Sequence, residues 1–193
     1  MNKLNNFLSI AAVFSFLLAL IVLGIFGNLT GHATDTGEAN VTIGSEASIQ
    51  FITDSINWGA GAVNETPTFA TIDTEGNVTD GNWTAVTQGL TLQNDGNSNV
   101  FLTLNTSNVA ADFIGGTSPE YNIKLTNNES FSCAGTNSLE TYTPATGEAQ
   151  NACDNWSYLD TKDTLDVDIE LVIPEDATPG TKSSTITATA TVI

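Results

Sequence analysis

Arginine is absent from the 193 residues, and histidine and methionine occur once each, as His32 and Met1. Four lysines stand against 22 acidic residues, giving a formal charge of −18 and a sequence pI of about 4.1. Such a surface has no basic patch to offer a phosphate backbone, which excludes nucleic acid as a partner. Charged residues make up only 13% of the chain, against ~25% in a typical soluble domain. The imbalance is therefore a shortage of cations rather than an excess of acids, and it reads as a soluble anionic surface.

The same shortages remove most catalytic chemistry. Ser/His/Asp hydrolysis and zinc hydrolysis need imidazole, and phosphoryl transfer needs cationic clamps. Paired carboxylates, as in glycoside hydrolysis, are the one set left. Asp160, Asp163, Asp166, Asp168 and Glu170 are the candidates, but acids alternating along a strand are expected to be its solvated face. The chain is expected not to be an enzyme; a carboxylate-dependent glycan-active enzyme stands only as a second alternative.

Long apolar runs are also missing, with one exception. Phe7 to Gly27 is apolar apart from Ser9 and Ser15, follows the single cation Lys3, and leads into Asn28-Leu29-Thr30-Gly31-His32-Ala33. Gly31 and Ala33 supply the small side chains that a signal peptidase needs, so cleavage after Ala33 is one expectation for residues 1–33. Retention as a membrane anchor through residues 7–27 is the other, because about 20 apolar residues span a bilayer whereas a removable region has about 7–15. Either way Lys3 stays inside and residues 34–193 are expected outside, as a secreted or cell-surface protein. Asn5-Asn6-Phe7 ahead of the run departs from the charged residue plus Gly or Ala at which type IV pilins are processed.

Cys133 and Cys153 are the only cysteines. In an exported chain they are expected to pair as a structural disulfide, which stabilises by about 3 kcal/mol in the chain-entropy model. No imidazole or further thiol remains to build a soft metal site around them, so no firm metal site is expected. Asn-x-Ser/Thr occurs at Asn28, Asn40, Asn64, Asn77, Asn82, Asn105, Asn128 and Asn155. These are N-glycosylation acceptors in a host that has the machinery, and chance sequons in a Thr- and Asn-rich protein otherwise.

Period-two alternation recurs from residue 39 onward, while helical periodicity does not. Candidate strands lie at Ala39–Ile43, Ser48–Phe51, Thr68–Ile72, Val86–Leu92, Val100–Leu104, Tyr121–Leu125, Leu165–Leu171 and Thr185–Val192. About seven to nine short strands with turn signals between them predict an all-β fold: residues 34–193 as one antiparallel, immunoglobulin-like β-sandwich after an N-terminal apolar helix. Residues 128–164 are too long for an ordinary connection and are expected to be a disulfide-stapled excursion. Its Trp156 and Tyr158 are candidate recognition residues. Asn94, Asp95, Asn97 and Asn99 surround an Asp-Gly step that signals a hairpin turn. Their oxygens also make a weak calcium candidate, without the bidentate acid that closes a complete loop.

Two stretches resemble immunoglobulin-like envelope domains of archaea and bacteria: Leu90-Thr91-Leu92-Gln93-Asn94-Asp95-Gly96-Asn97, and Ile173-Pro174-Glu175-Asp176-Ala177-Thr178-Pro179-Gly180-Thr181 ahead of a Thr-rich strand. More loosely, a leader followed by a short strand and then a sandwich is similar to the TasA/camelysin type of fibre-forming surface protein and to archaeal surface-filament subunits. The resemblance implies a structural role in the cell envelope.

The residues themselves lead to a structural role from another direction. Thr34 to Ile43 is a polar, Gly-bearing spacer followed by Ala39, Val41 and Ile43 at strand spacing. Such a segment completes its own sheet or inserts as a donor strand into that of a neighbouring subunit. The expected function is a filament or envelope subunit that associates with copies of itself or with neighbouring envelope proteins. The alternative is a membrane-anchored recognition or adhesion module.

Overall fold

The computed structural model describes the backbone of residues 2–26 and 38–193, with side chains described at 8–21 and 38–193. The chain divides into two units, Met1–Thr42 and Ile43–Ile193. In the first, helix α1 covers Asn2–Phe26. The proposed cleavage residues Gly31 and Ala33, the sequon at Asn28 and the spacer residues 34–37 lie outside the described residues.

The regular structure of the second unit is almost wholly strands, all paired antiparallel. In chain order they are β1 (Ile49–Thr53), β2 (Phe69–Asp73), β3 (Val78–Thr79), β4 (Leu90–Asn94), β5 (Val100–Thr106), β6 (Glu120–Asn127), β7 (Thr143–Pro144), β8 (Gln150–Trp156), β9 (Thr164–Pro174) and β10 (Ile186–Val192). The one-turn helix α2 (Ala110–Phe113) lies between β5 and β6. Seven strands form one sheet around β9, whose two ends pair with β4 and β2 on one side while β6 runs along the other; β1, β3 and β7 flank these. The remaining three form a second sheet in the order β10-β5-β8.

Alternation explains why the two sheets share one core. Along β5, Val100, Leu102 and Leu104 are fully buried while Phe101 and Thr103 between them are not. On β9, Leu165, Val167, Ile169 and Leu171 enter the same hydrophobic cluster, joined by Leu92, Ile123 and Leu125 from its neighbours and by Ala152, Cys153 and Trp156 from β8. Each large side chain removed from water in this way contributes about 1.5–3 kcal/mol.

Three expectations about the chain path need correction. Residues 86–89 do not join β4, which begins at Leu90. Residues 128–164 are not a simple excursion, because they contain β7 and also β8, a full member of the second sheet. Their loop-like composition, rich in Thr, Asn and Ser, hides a strand whose inward residues are as small as Ala152 and Cys153. Ala39–Ile43, finally, forms no strand: residues 38–48 carry no strand pairing.

Candidate functional site

Alternation gives the segment at Ala39, Val41 and Ile43 the pattern of a strand, but a strand also needs a partner for its backbone N–H and C=O groups. No strand pairing with residues 38–48 is found among the described residues, and Val41 and Ile43 are 86% and 81% exposed. Below them the chain is gripped by one residue. Asn97 Oδ1 accepts from the Glu46 N–H at 2.7 Å, and its Nδ2 donates to the Gly44 carbonyl at 2.9 Å. The Asn97 backbone N–H donates to the Glu46 carbonyl at 3.2 Å. Gly96 makes room for this clasp, since a Cβ there would sit 2.6 Å from the Glu46 carbonyl oxygen and 2.9 Å from the Ser48 nitrogen.

The calcium candidates therefore have other work. Asn94 is fully buried, donating to the Ser98 and Ser157 carbonyls and accepting from the Gly96 N–H. Asn97 holds Gly44 and Glu46, and Asn99 Nδ2 donates to Asn155 Oδ1 at 2.8 Å. Asp95 is exposed beside them. Among the described residues, no group of three or more His, Cys, Asp and Glu is placed to hold a metal ion.

Cys133 and Cys153 are joined in a disulfide, a bond that persists in oxidising compartments. It ties the segment around Cys133 to β8, and backbone bonds from Ala134 to Asn155, Asp154 to Thr136 and Ser157 to Ser132 continue the attachment. Trp156 is corrected as a recognition residue: it is fully buried against β5, opposite Val100, and belongs to the core. Its polar neighbours Asp154, Asn155 and Ser157 suggest a loop, whereas the strand turns the indole inward. Tyr158 is 39% exposed and lines an open depression with Gly96, Asn97, Leu159, Asp160 and Thr161, adjoining the clasp.

The acids of β9 are less solvated than their spacing suggests, because β9 is flanked on both sides. Asp166 accepts from Thr91 Oγ1 and Asn128 Nδ2, Asp168 from Thr74 Oγ1 and Thr126 Oγ1, and Glu170 from Asn122 Nδ2. Asp168 is only 8% exposed. Its charge is met by Lys124, whose Nζ lies 3.8 Å from Asp168 Oδ2, 2.8 Å from Glu75 Oε1 and 4.6 Å from the centre of the Tyr142 ring. Burial, then the nearby Glu75, Asp168 and Asp73 charges, push the Tyr142 hydroxyl far above its ordinary value. Asp163 is raised, chiefly by burial, and its Oδ2 accepts from Gln93 Nε2. These carboxylates are bound into cross-strand hydrogen bonds, an arrangement that joins strands together.

Among the sequons, Asn40, Asn64, Asn77, Asn82 and Asn128 are exposed, and Asn105 and Asn155 are half-buried. The nitrogen that would carry a glycan is engaged at Asn77, which donates to Asp73 Oδ2, and at Asn128, which donates to Asp166 Oδ2. At Asn82 only the oxygen is used, accepting from the Ala62 N–H.

No family model, no curated protein and no solved structure matches this chain. Among the described residues no helix is long and apolar enough to cross a membrane.

Proposed function

We propose that this is an exported, non-enzymatic structural protein of the cell surface, a filament or envelope subunit that assembles by strand complementation through residues 34–43. The two antiparallel sheets are read as the faces of an immunoglobulin-like sandwich, and residues 1–33, which contain the apolar helix α1, as a signal peptide or anchor. One observation carries the assembly reading: the uncharged, alternating stretch Ala39–Ile43 has no strand pairing among the described residues, while Asn97 fixes the chain just after it, at Gly44 and Glu46, to a well-packed domain. A strand held ready in this way gains its ladder hydrogen bonds and buries Val41 and Ile43 when another subunit's sheet receives it. The disulfide supports an extracytoplasmic location, and the TasA/camelysin-like resemblance points the same way. The exposed sequons Asn64 and Asn82 are the acceptors best suited to carry glycan.

Deleting residues 34–43 tests the reading. Electron microscopy and sedimentation of material from the surface of producing cells are expected to show filaments for the full chain and none for the deletion. Filaments that persist without the segment defeat it.

The second reading, an anchored recognition module, draws on Tyr158 and Leu159, which are 39% and 51% exposed in the depression beside Asn97. Detergent separates the two: an anchored module partitions with lipid, and an assembled subunit sediments as polymer.

A further inference from the structure

Every sheet edge of the domain but one carries a device against further pairing. On the seven-stranded sheet, β1 is an edge broken by a bulge between Phe51 and Thr53, and β3 and β7 are two residues long. The outer side of β6 is occupied at Tyr121 and Leu125 by backbone bonds from Ala145 and to Leu139. On the three-stranded sheet, the outer side of β8 is taken by the 132–136 segment. Bulges, short lengths and covering segments are the usual means of blunting an edge. The exception is β10, seven residues in unbroken register with β5, containing no proline and no charged residue.

The register shows which of its backbone groups are left over. Ser107 N–H donates to the Thr185 carbonyl and Ile193 N–H to the Asn99 carbonyl, so the odd-numbered residues of β10 bond to β5. In an antiparallel pair the alternate residues then point their N–H and C=O groups away. Those residues are Ile186, Ala188, Ala190 and Val192. Side chains alternate as well: Thr187, Thr189 and Thr191 are exposed, whereas Ile186, Ala188 and Ala190 are half-buried on the core side.

We infer that the β10 edge is the acceptor for the Ala39–Ile43 segment of a second copy of this chain; the inference rests on the assembly reading above. Charge permits this pairing. The exported part holds three lysines against all 22 acids, a net −19, so copies repel each other except where both surfaces are neutral. Ala39–Ser45 and Ser183–Ile193 are two such uncharged stretches. Lys182, exposed just before β10, adds attraction. Paired parallel, the segment brings Glu38 to that end of β10; paired antiparallel, it brings Glu46. Shape agrees with charge, because Ala188 and Ala190 leave little core-side bulk and the larger Val41 and Ile43 would lie beside them, with Asn40 and Thr42 on the threonine face.

The test uses the full chain recovered from producing cells, whose native cysteines are already joined. Thr42→Cys is combined in turn with Thr187→Cys, Thr189→Cys and Thr191→Cys on the same outer face, and separately with Gln50→Cys on β1. The expected result is a ladder of disulfide-linked multimers on a non-reducing denaturing gel for at least one β10 pair and none for the β1 pair. In addition, Ala190→Pro removes one outward N–H without touching the β5 ladder, a position where an edge strand tolerates proline. That variant is expected to fold, keep its disulfide and lose its sedimentable polymer.

A ladder with Gln50→Cys only, polymer without a ladder for any pair, or an Ala190→Pro chain that polymerises like the parent overturns the β10 assignment and leaves the assembly reading standing. Cross-links confined to single chains overturn it in favour of self-completion. A parent chain that never sediments as polymer defeats the assembly reading and the β10 inference with it.

Discussion

Asn97 and Glu46 hold each other at two points: the Asn97 side-chain oxygen accepts from the Glu46 N–H at 2.7 Å, and the Glu46 carbonyl accepts from the Asn97 N–H at 3.2 Å. The bond between them spans 51 residues of sequence, so the 95–99 connection, which carries the chain from β4 in one sheet to β5 in the other rather than closing the hairpin its Asp-Gly step suggests, fixes the backbone at Gly44 and Glu46. Removing this clasp is expected to loosen residues 44–48 while sparing the core. For Asn97→Ala, hydrogen exchange should accelerate at the Glu46 amide and remain slow at Leu102 and Val167, with a global loss of about 1–2 kcal/mol for the exposed bonds. Gly96→Ala should act the same way, because its Cβ would press on the backbone of Glu46 and Ser48.

The disulfide is expected to matter more to stability than any single surface contact. It closes a loop of 20 residues between Cys133 and Cys153, and the double variant Cys133→Ser with Cys153→Ser should lose about 3 kcal/mol in urea unfolding. Reductant should reproduce that loss in the parent chain and have no effect on the variant.

Trp156 is fully buried, and its indole Nε1 has no hydrogen-bond partner. Trp156→Ala should therefore cost about 3–5 kcal/mol through the cavity it leaves. Trp156→Phe should cost clearly less, because it keeps most of the apolar contact and removes the unsatisfied N–H. Thermal or urea unfolding of the two variants compares them directly.

Lys124 and Lys182 should respond differently to loss of charge. Lys124→Met leaves the nearly buried Asp168 without its cation, for an expected loss of about 1–3 kcal/mol. Lys182→Met at an exposed site should change the stability of the folded domain by less than about 0.5 kcal/mol. If Lys182 steers assembly, its effect will instead be a salt-dependent fall in polymer yield.

Asp163 supplies the pH prediction. Burial first, then the Glu129 and Asp160 charges, raise its carboxyl above the ordinary 3.8 against the lowering bond from Gln93. The folded state thus holds this proton more tightly than the unfolded chain does, so this group's contribution to stability declines as pH rises through its folded value. Asp163→Asn, which still accepts from Gln93, should therefore stabilise the domain at neutral pH. The gain should shrink as pH falls towards 3.8 and below, where the parent carboxyl is protonated in both states. Urea midpoints of parent and variant across that range read it out.

Much of the fold was legible in the sequence. β5, β9 and β10 announce themselves by alternation, and Cys133 and Cys153, the chain's only two cysteines, announce their bond, because both signals are local or lack competing partners. Trp156 was not legible: its flanking Asp154, Asn155 and Ser157 describe a loop, and only the pairing of β8 with β5 turns the indole inward. The acids of β9 were half legible. Period two identifies their face, but the strands on both sides bring Thr74, Thr91, Thr126 and Asn122 close enough to bind them.

The amino-acid sequence alone determined the all-β class, the anionic surface and the exclusion of imidazole- and guanidinium-based chemistry from residues 34–193, because composition and side-chain period act residue by residue. Tertiary structure decided which alternating segments became strands. Ala39–Ile43 and Ile186–Val192 carry the same kind of pattern, yet among the described residues only the second has a neighbouring strand. A strand's backbone groups are satisfied by another strand, and whether one is present is a property of the folded chain rather than of the segment.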